Sequence, residues 1–305
     1  MSPKKGFALI AVLWGLVILG MISSAMIAGS GVMQRQAFGS ADTLRWSAIE
    51  DALVNEAVLE LLGERTDHPL PTDGTWRAIA SKEVSGEISI QDESGRIDLN
   101  VAPRDVLVDL LRSTRLDPER AMVLADRIVE WRKPADDPSI RASEAATYDA
   151  AGLGYAPRGG PFQRVDEARL VLGMTSATYD RIAPALTVFS GNEQLDPDLA
   201  PPAALASFPG IDAERASQIV AARGKGISFA AFVGRSNGDA TATAPKSAGR
   251  VGRAFEIVLR LHMPDDRQIE RRETIRLVNL PASVFWVLDR RDSPAEGEIA
   301  SRQQR

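Results

Sequence analysis

An uninterrupted apolar run lies near the start of the chain, from Phe7 to Met33, and contains no ionisable side chain. A transmembrane helix needs about 20 predominantly apolar residues to cross the hydrocarbon core of a bilayer. Lys4 and Lys5 precede the run, and cationic residues beside a span favour keeping that end in the cytoplasm. The pattern therefore predicts a transmembrane helix over residues 7–33, with the bulk of the chain on the far side of the membrane.

The hydropathy of this run is also compatible with two other interpretations. A cleaved secretory signal peptide also has a basic start, and residues 23–25 or 28–30 would serve as its small-residue cleavage site. The apolar centre of such a peptide is usually about 7–15 residues, which is shorter than this run. An ordinary signal anchor would keep the whole run in the membrane.

Apolar residues at helical spacing continue beyond the run. Residues 34–62 contain no proline, and Gly63 marks a helix end. A single helix over residues 7–62 would be about 84 Å long at ~1.5 Å per residue. Residues 34–62 are then its amphipathic continuation, although a kink at residues 29–31 is an alternative. The apolar positions of the continuation are Leu44, Ala48, Ile49, Ala52, Leu53, Ala57 and Leu61.

Period-two alternation predicts strands on both sides of the middle of the chain. A polar connector, residues 64–74, leads to the first of these strands. Gly95 predicts a turn, after which Arg96 to Leu99 is expected to pair back as a short strand. We predict one antiparallel sheet built from residues 75–99 and 253–291. The expected strands cover residues 84–92, 96–99, 255–261, 269–277 and 283–290.

Residues 100–235 have a helical pattern and predict an inserted all-α domain. Asn100 is expected to cap its first helix, and three pairs of helices joined by tight turns resemble helix–hairpin–helix units. A flexible linker, residues 236–252, and a disordered tail, residues 292–305, complete the chain. The predicted fold is α+β, with a pilin-like long N-terminal helix packed on the antiparallel sheet. The helix pairs cover residues 104–112 with 118–132, 165–172 with 176–186, and 202–207 with 213–223.

The charge balance and residue types narrow the function. The 36 basic and 41 acidic residues give a net charge of −5, whereas general nucleic-acid binders have a basic excess. The chain has no cysteine, and His68 and His262 have no partner at ligand spacing, which argues against a zinc site. It also lacks a phosphate-binding glycine loop and a nucleophile elbow. We therefore predict that the protein is not an enzyme.

The junction between the leader and the apolar run is more specific than the run itself. Residues 1–6 end in Lys5-Gly6, and Phe7 opens the run, which resembles a type IV prepilin leader. In that family a prepilin peptidase cuts after the glycine and methylates the new N-terminal phenylalanine. The resemblance thus implies cleavage after Gly6 and methylation of Phe7. Ala11 departs from the family pattern, because most pilins and pseudopilins have glutamate at this fifth mature position.

Two further segments extend the resemblance over nearly the whole chain. Residues 91–100, QDESGRIDLN, and residues 162–174, FQRVDEARLVLGM, are similar to signatures of the minor pseudopilin K of type II secretion systems, the GspK family. That pseudopilin is also the one that usually lacks the glutamate. In the signatures we expect structural roles for Gly95, as a turn residue, and for Asp166 and Glu167, in the first turn of a helix.

The resemblance implies a function in assembly. It implies a minor pseudopilin at the tip of the pseudopilus, with minor pseudopilins I and J as partners and the prepilin peptidase as processing enzyme. The protein would cross the inner membrane once, with a cytoplasmic N-terminus and a periplasmic bulk. Members of the family also bind calcium in the α-domain, so Ca²⁺ is the expected cofactor. Asp136, Asp137 and Glu144 are its expected ligands, because calcium prefers carboxylate oxygens.

Alternatives to these assignments follow from other residues. Arg132, Lys133 and Arg141 stand around the expected calcium loop, which is otherwise explained as a solvated acidic loop. The helix–hairpin–helix pattern suggests a membrane-anchored exported protein that binds DNA, although acids flank its hairpins and no nucleic acid is expected from the charge. A minor pilin of a type IV pilus would share the leader and differ in its partners.

Overall fold

The computed structural model describes residues 44–63, 71–80, 84–133, 137–237, 249–262 and 268–294, together with Trp14 and Met21. Gly6, Phe7, Ala11 and nearly all of the predicted transmembrane segment, residues 7–33, lie outside this part of the chain. Among the described residues, no helix combines the length and the apolar character that a membrane span requires.

The chain divides into two compact units, residues 1–57 and 58–305. Residues 44–61 form helix α1, which agrees with the predicted helix over the part that is described. Gly63 follows the end of α1 with a φ of +80°, a left-handed conformation that glycine adopts without strain. In the second unit, the Leu61 carbonyl accepts a hydrogen bond from Arg250 Nη1 at 2.8 Å.

Five antiparallel strands form the main sheet of the second unit. Their order across the sheet is β1 (Asp73–Ala80), β2 (Ser85–Asp92), β5 (Ala254–His262), β6 (Gln268–Leu280) and β7 (Ser283–Pro294). The expected pairing of the strand at residues 84–92 with the C-terminal strands is confirmed, because β2 and β5 are hydrogen-bonded neighbours with Ile90 opposite Ile257. On β5, the predicted alternation places Phe255, Ile257 and Leu259 in the core.

The N-terminal edge of the sheet differs from the sequence-based expectation. Residues 64–74 were expected to be a connector, but β1 already begins at Asp73. Its pairing with β2 is irregular between Asp73 and Trp76, and Gly74 has a φ of +81° there. This irregularity breaks the alternation from which strands are recognised.

The prediction that Arg96 to Leu99 pairs back onto the main sheet was wrong. A 3₁₀ turn, Glu93–Gly95, carries the chain away after β2. Strand β3 (Ile97–Asp98) then pairs in parallel with β4 (Leu186–Thr187) in a separate small sheet. Leu186 had been assigned to a helix. The preceding helix ends at Ile182, and the 3₁₀ turn that follows, Ala183–Ala185, contains Pro184, which has no N–H to donate.

A block of helices lies in sequence between β2 and β5. Four aromatic side chains of the block pack together with ring centroids 5.9 to 6.4 Å apart. Trp131, Tyr148 and Phe162 are buried in its core, and Tyr155 is 40% exposed beside them. Residues 165–172 were expected to be a helix, but Val165–Leu170 is a 3₁₀ helix. The helices are α2 (Arg104–Ser113), α3 (Pro118–Arg132), α4 (Pro138–Ala150), α5 (Ser176–Ile182), α6 (Pro202–Leu205), α7 (Ala213–Arg223) and α8 (Phe229–Asn237).

Part of the predicted linker and part of the predicted tail belong to a helix and a strand in the structure. Helix α8 continues to Asn237, so residues 236–237 are helical. Strand β7 continues to Pro294, so residues 292–294 are part of the sheet and do not belong to a disordered tail. The prediction was wrong there because Asp292 and Ser293 are polar edge-strand residues that read as coil. Residues 238–248 and 295–305 lie outside the described part of the chain.

Candidate functional site: the junction of sheet and helical block

The first signature segment, residues 91–100, lies where the chain leaves the sheet for the helical block. Asp92 caps the 3₁₀ turn, since its Oδ1 accepts hydrogen bonds from Ser94 N at 2.9 Å and from Ser94 Oγ at 2.7 Å. Arg253, the residue just before β5, contacts Asp92 Oδ2 at 2.7 Å and donates to Ser94 Oγ at 2.6 Å. The two ends of the inserted block are thereby tied together.

Arg96 joins the block to the sheet through two buried carboxylates. Its Nη1 contacts Glu93 Oε1 at 3.0 Å, and its Nη2 contacts Glu256 Oε2, on β5, at 2.6 Å. Glu93 and Glu256 are only 1% and 7% exposed. A single guanidinium group therefore pairs with two carboxylates that are almost inaccessible to water. Its planar arrangement of several N–H donors allows it to bridge two acceptors in this way.

The ion pairs continue from Glu256 along one face of the sheet. Arg272 on β6 bridges Glu256 at 3.2 Å and Glu270 at 3.1 Å. Arg260 on β5 contacts Glu270 at 2.8 Å, and its guanidinium lies 4.1 Å from the ring centroid of Trp76 on β1. Charges alternate along this row, from a buried end at the block to a half-exposed end at the edge of the sheet. We call it the junction ion row.

Burial sets the protonation of the acidic groups at the buried end. It raises the pKa of Glu93 to about 7, and the attraction of Arg96 only partly offsets this effect. Burial acts in the same direction on Glu256, but Arg96 and Arg272 outweigh it and hold the pKa of Glu256 below its usual range. Arg96 therefore stabilises mainly the charged form of Glu256, whereas Glu93 titrates near neutral pH.

Glu93 should make stability depend on pH. Native Glu93 keeps its proton up to about pH 7, whereas the unfolded chain loses it near pH 4.5. Folding is then favoured at the low end of this window, and the free energy of unfolding falls as the pH rises through it. Glu93→Gln stays neutral throughout, so the stability of the wild type relative to this variant should fall by about 2 kcal/mol from the low to the high end. Urea unfolding of both proteins at several pH values measures this difference, and parallel profiles would contradict the assignment.

Gly95 is required by a close approach of two backbones. A Cβ at this position would lie 2.3 Å from the Leu199 carbonyl oxygen and 2.5 Å from its carbon. The adjacent segment is held in place by Gln91 Nε2, which donates to the Leu199 carbonyl at 2.8 Å, and by Asp196 N, which donates to the Ser94 carbonyl at 2.7 Å. Gly95 was expected to be a turn residue, but the close packing of the Leu199 backbone is the stronger reason that a glycine is required here.

The second half of the segment organises the interior of the block. Asp98, which is 1% exposed, accepts hydrogen bonds from Asn100 N at 2.8 Å and Gly191 N at 2.8 Å. Asn100 was expected to cap α2, but the residue before that helix is Pro103. The Asn100 side chain instead pairs with Phe162, donating to its carbonyl at 3.0 Å and accepting from its N–H at 2.7 Å. The two signature segments therefore meet at this pair of residues.

The acids of the second signature have structural partners. Asp166 accepts a hydrogen bond from the Tyr179 hydroxyl at 2.6 Å and contacts Arg291, on β7, at 3.1 Å. Glu167 pairs with Arg158 at 2.9 Å. Both lie in the first turn of the 3₁₀ helix, where acidic residues were expected. The Asp166–Arg291 contact is a second link between the helical block and the sheet.

The expected calcium ligands are only partly described. Asp137 Oδ1 caps α4 by accepting a hydrogen bond from Ser139 N at 2.8 Å, and Asp136 lies outside the described residues. Glu144 lies two turns into α4, where its charge contributes to raising the pKa of Glu130 on α3, after the larger effect of burial. Within the described ranges, no three acidic or histidine side chains gather around one point that would suit a metal ion. The calcium site stays a prediction.

Carboxylates occupy the starts of two helices that follow the predicted hairpins. Asp117 Oδ1 accepts hydrogen bonds from the N–H groups of Glu119 and Arg120, at 3.0 and 3.2 Å. Asp212 Oδ1 accepts one from Arg215 N at 2.8 Å. These amides are the groups that a phosphate would bind at a helix N-terminus. An acid already placed there disfavours a nucleic-acid backbone.

Comparison with known sequences finds similarity to one family, in a family model and in two relatives. Residues 88–191 match the family model described as Type II secretion system (T2SS), protein K, and this range contains both signature segments. The type II secretion system protein K of Klebsiella pneumoniae is 26% identical, covering 94% of this chain and 98% of that protein. The protein K of Pseudomonas aeruginosa PAO1 is 30% identical over 148 residues, which are 45% of this chain and 44% of that protein.

The fold also has a counterpart among solved structures. A chain in the crystal structure of the GspK-GspI-GspJ complex from the enterotoxigenic Escherichia coli type 2 secretion system matches with a TM-score of 0.53. The match covers 86% of this chain and 99% of that chain, at 16% identity. By sequence, the chain resembles components of type II secretion systems. Within that class, its predicted resemblance to the protein K family is confirmed.

Proposed function

We propose that this chain is a minor pseudopilin of a type II secretion system and that it works at the tip of the pseudopilus. The similarity to a K protein over 94% of the chain is the observation that carries the proposal. The helical block supports the position at the tip, because a bulky insertion between β2 and β5 would be difficult to pack along a fibre shaft. Ala11 supports it as well, since a terminal subunit has no earlier neighbour for a buried glutamate to pair with.

The proposal includes the anchoring and processing of the chain. Residues 7–33 span the inner membrane, the N-terminus is cytoplasmic, and the described domains lie in the periplasm. The prepilin peptidase cuts after Gly6, and Phe7 becomes the methylated N-terminus. Minor pseudopilins I and J are the proposed partners, in line with the relative that was solved in a GspK-GspI-GspJ complex. Calcium, held by residues 136, 137 and 144, is part of the same family-based proposal.

DNA capture is the second candidate, and the geometry gives it less support. The helix pairs on which it rests, α2 with α3 and α6 with α7, are each joined by a short segment. However, Asp117 and Asp212 take up the helix amides beside these turns, and the chain as a whole is acidic. Assembly through protein partners therefore explains the described surface better.

Intact mass and N-terminal sequencing of the membrane-extracted protein test the proposal. We expect a chain that begins at methylated Phe7 and retains the apolar run. Gly6→Ala should block cleavage and leave the chain starting at its original N-terminus. Gly15→Ala, a glycine inside the run, should be processed like the wild type. A mature chain that begins near Met26 or later would instead show a conventional signal peptide and would overturn the proposal.

A further inference from the structure

The C-terminal edge of the main sheet carries an apolar surface. β7 is the last strand in the sheet order, so in the described part of the chain no strand lies along its outer side. Near its start, Val284, Trp286 and Val287 are 47%, 51% and 51% exposed. We call residues 284–287 the β7 edge. Leu280, at the β6–β7 turn, is also an exposed apolar residue. So is Val251, whose neighbour Gly252 donates its N–H to the Leu277 carbonyl of β6.

The apolar side chains of the β7 edge lie on both faces of the sheet. Trp286 is opposite Arg276 of β6, and Val287 is opposite the next residue, Ile275. Successive residues in a strand point to opposite faces, so Trp286 and Val287 lie on different sides. A helix or a flat surface would cover only one of these faces. A strand that continues the sheet would cover both.

Native edge strands usually carry charges, proline or a bulge that prevent such pairing. The pairing of β7 with β6 has a register shift at each end of the apolar stretch, beside Val284 and beside Val287, but the charged residues Asp289, Arg290 and Arg291 begin only after it. The charged half is also engaged by the helical block, because Asp289 lies 3.5 Å from Arg164 and Arg291 lies 3.1 Å from Asp166. The apolar half is therefore the part of the edge that can accept another strand.

We propose that the β7 edge binds an extended, apolar strand of a partner minor pseudopilin, which adds to the sheet beside residues 284–287. Strand addition pairs the outward N–H and C=O groups of β7 with the partner's backbone, and the side chains on both faces provide the contact area. The inference rests on the proposed function for the identity of the partner. The kind of partner, an extended segment, follows from the edge itself.

Co-purification of the full chain with minor pseudopilins I and J, co-expressed and extracted in detergent, tests this interface. Trp286→Glu combined with Val287→Glu should lower recovery of a partner about tenfold, which corresponds to roughly 1.4 kcal/mol. Ile140→Glu is the matched control, since Ile140 is an equally exposed apolar residue on α4, at 53%. It should leave recovery unchanged. Because both altered residues are exposed, the variant should melt at the temperature of the wild type.

Hydrogen exchange of the wild-type complex gives an independent readout. Amide exchange at residues 284–287 should slow on binding, because strand addition protects the backbone and contact through side chains alone does not. The inference would be overturned if the double variant recovered its partner as well as the wild type, or if exchange at residues 284–287 did not change on binding. It would also be overturned if these amides were already protected in the chain purified without partners, because a second copy of this chain would then be the occupant. If the wild type itself recovers neither partner, the proposed function fails together with the interface.

Discussion

Arg96→Met is expected to lower the free energy of unfolding by about 3 to 5 kcal/mol at neutral pH. The change removes the guanidinium that contacts both Glu93 and Glu256, and it leaves two nearly inaccessible carboxylates around an apolar side chain. Removing one partner of a buried ion pair costs far more than the pair itself contributes, since the remaining charge is scarcely hydrated. Arg272, 3.2 Å from Glu256, is then the cation that still faces this carboxylate. Chemical unfolding of the detergent-solubilised full chain measures the loss.

Arg260→Met is the matched control at the other end of the junction ion row. Arg260 makes a comparable contact with Glu270, but its side chain is 47% exposed, so its loss should cost at most about 1 kcal/mol. Adding Glu256→Gln to Arg96→Met should restore part of the stability, because the stranded charge is removed. Equal losses for Arg96→Met and Arg260→Met, or no recovery in the double variant, would contradict a buried ionic anchor at this junction.

Gly95→Ala is expected to destabilise the protein by about 1 to 3 kcal/mol or more, as overpacking does in a tightly packed interior. The added methyl group would lie 2.3 Å from the Leu199 carbonyl oxygen, which is backbone and cannot rotate away. The segment around residue 199 must then shift, and its hydrogen bond from Gln91 Nε2 is disturbed. Thermal and urea unfolding of the full chain should show lower midpoints for Gly95→Ala than for the wild type.

Gly154→Ala is a suitable control for this substitution. A Cβ at Gly154 would meet no atom within 4 Å, so alanine there should leave the midpoints unchanged or raise them slightly. If Gly95→Ala matched this control, the close approach of the two backbones would not be a constraint on the fold.

Local patterns were sufficient to predict most of the elements. The alternation along residues 255–261 gave β5 and its buried face, and the helix bounds at Pro118 and Ala213 follow from capping acids immediately before them. These signals depend on neighbours within a few residues, so a single sequence contains them. Gly63 as the stop of α1 belongs to the same group.

The junction could not be predicted in this way, because its contacts connect distant parts of the chain. Arg96 and Glu256 are 160 residues apart, and neither residue has a local feature that names the other. Asn100 has the residue type of a helix cap and lies near a helix start, yet its side chain pairs with Phe162. Likewise, two residues of alternation at Ile97 and Asp98 cannot show whether their partner is β2 or β4. The segment at residues 91–100 was recognisable as a sequence pattern. Only the three-dimensional structure shows that its residues connect the helical block to the sheet.

The position of the helical block also sets the order in which the sheet can be completed during synthesis. β2 and β5 are hydrogen-bonded neighbours, but Asp92 and Phe255, which pair across them, are separated by the whole block. Closing so long a loop is entropically costly while the block is unfolded. A folded block held by the Asp92–Arg253 contact brings the two ends together and removes most of that cost. The β1–β2 pair must therefore wait, with an unpaired edge, until residue 254 has been synthesised and the block has folded, and it is during this interval that the chain is most exposed to misassembly.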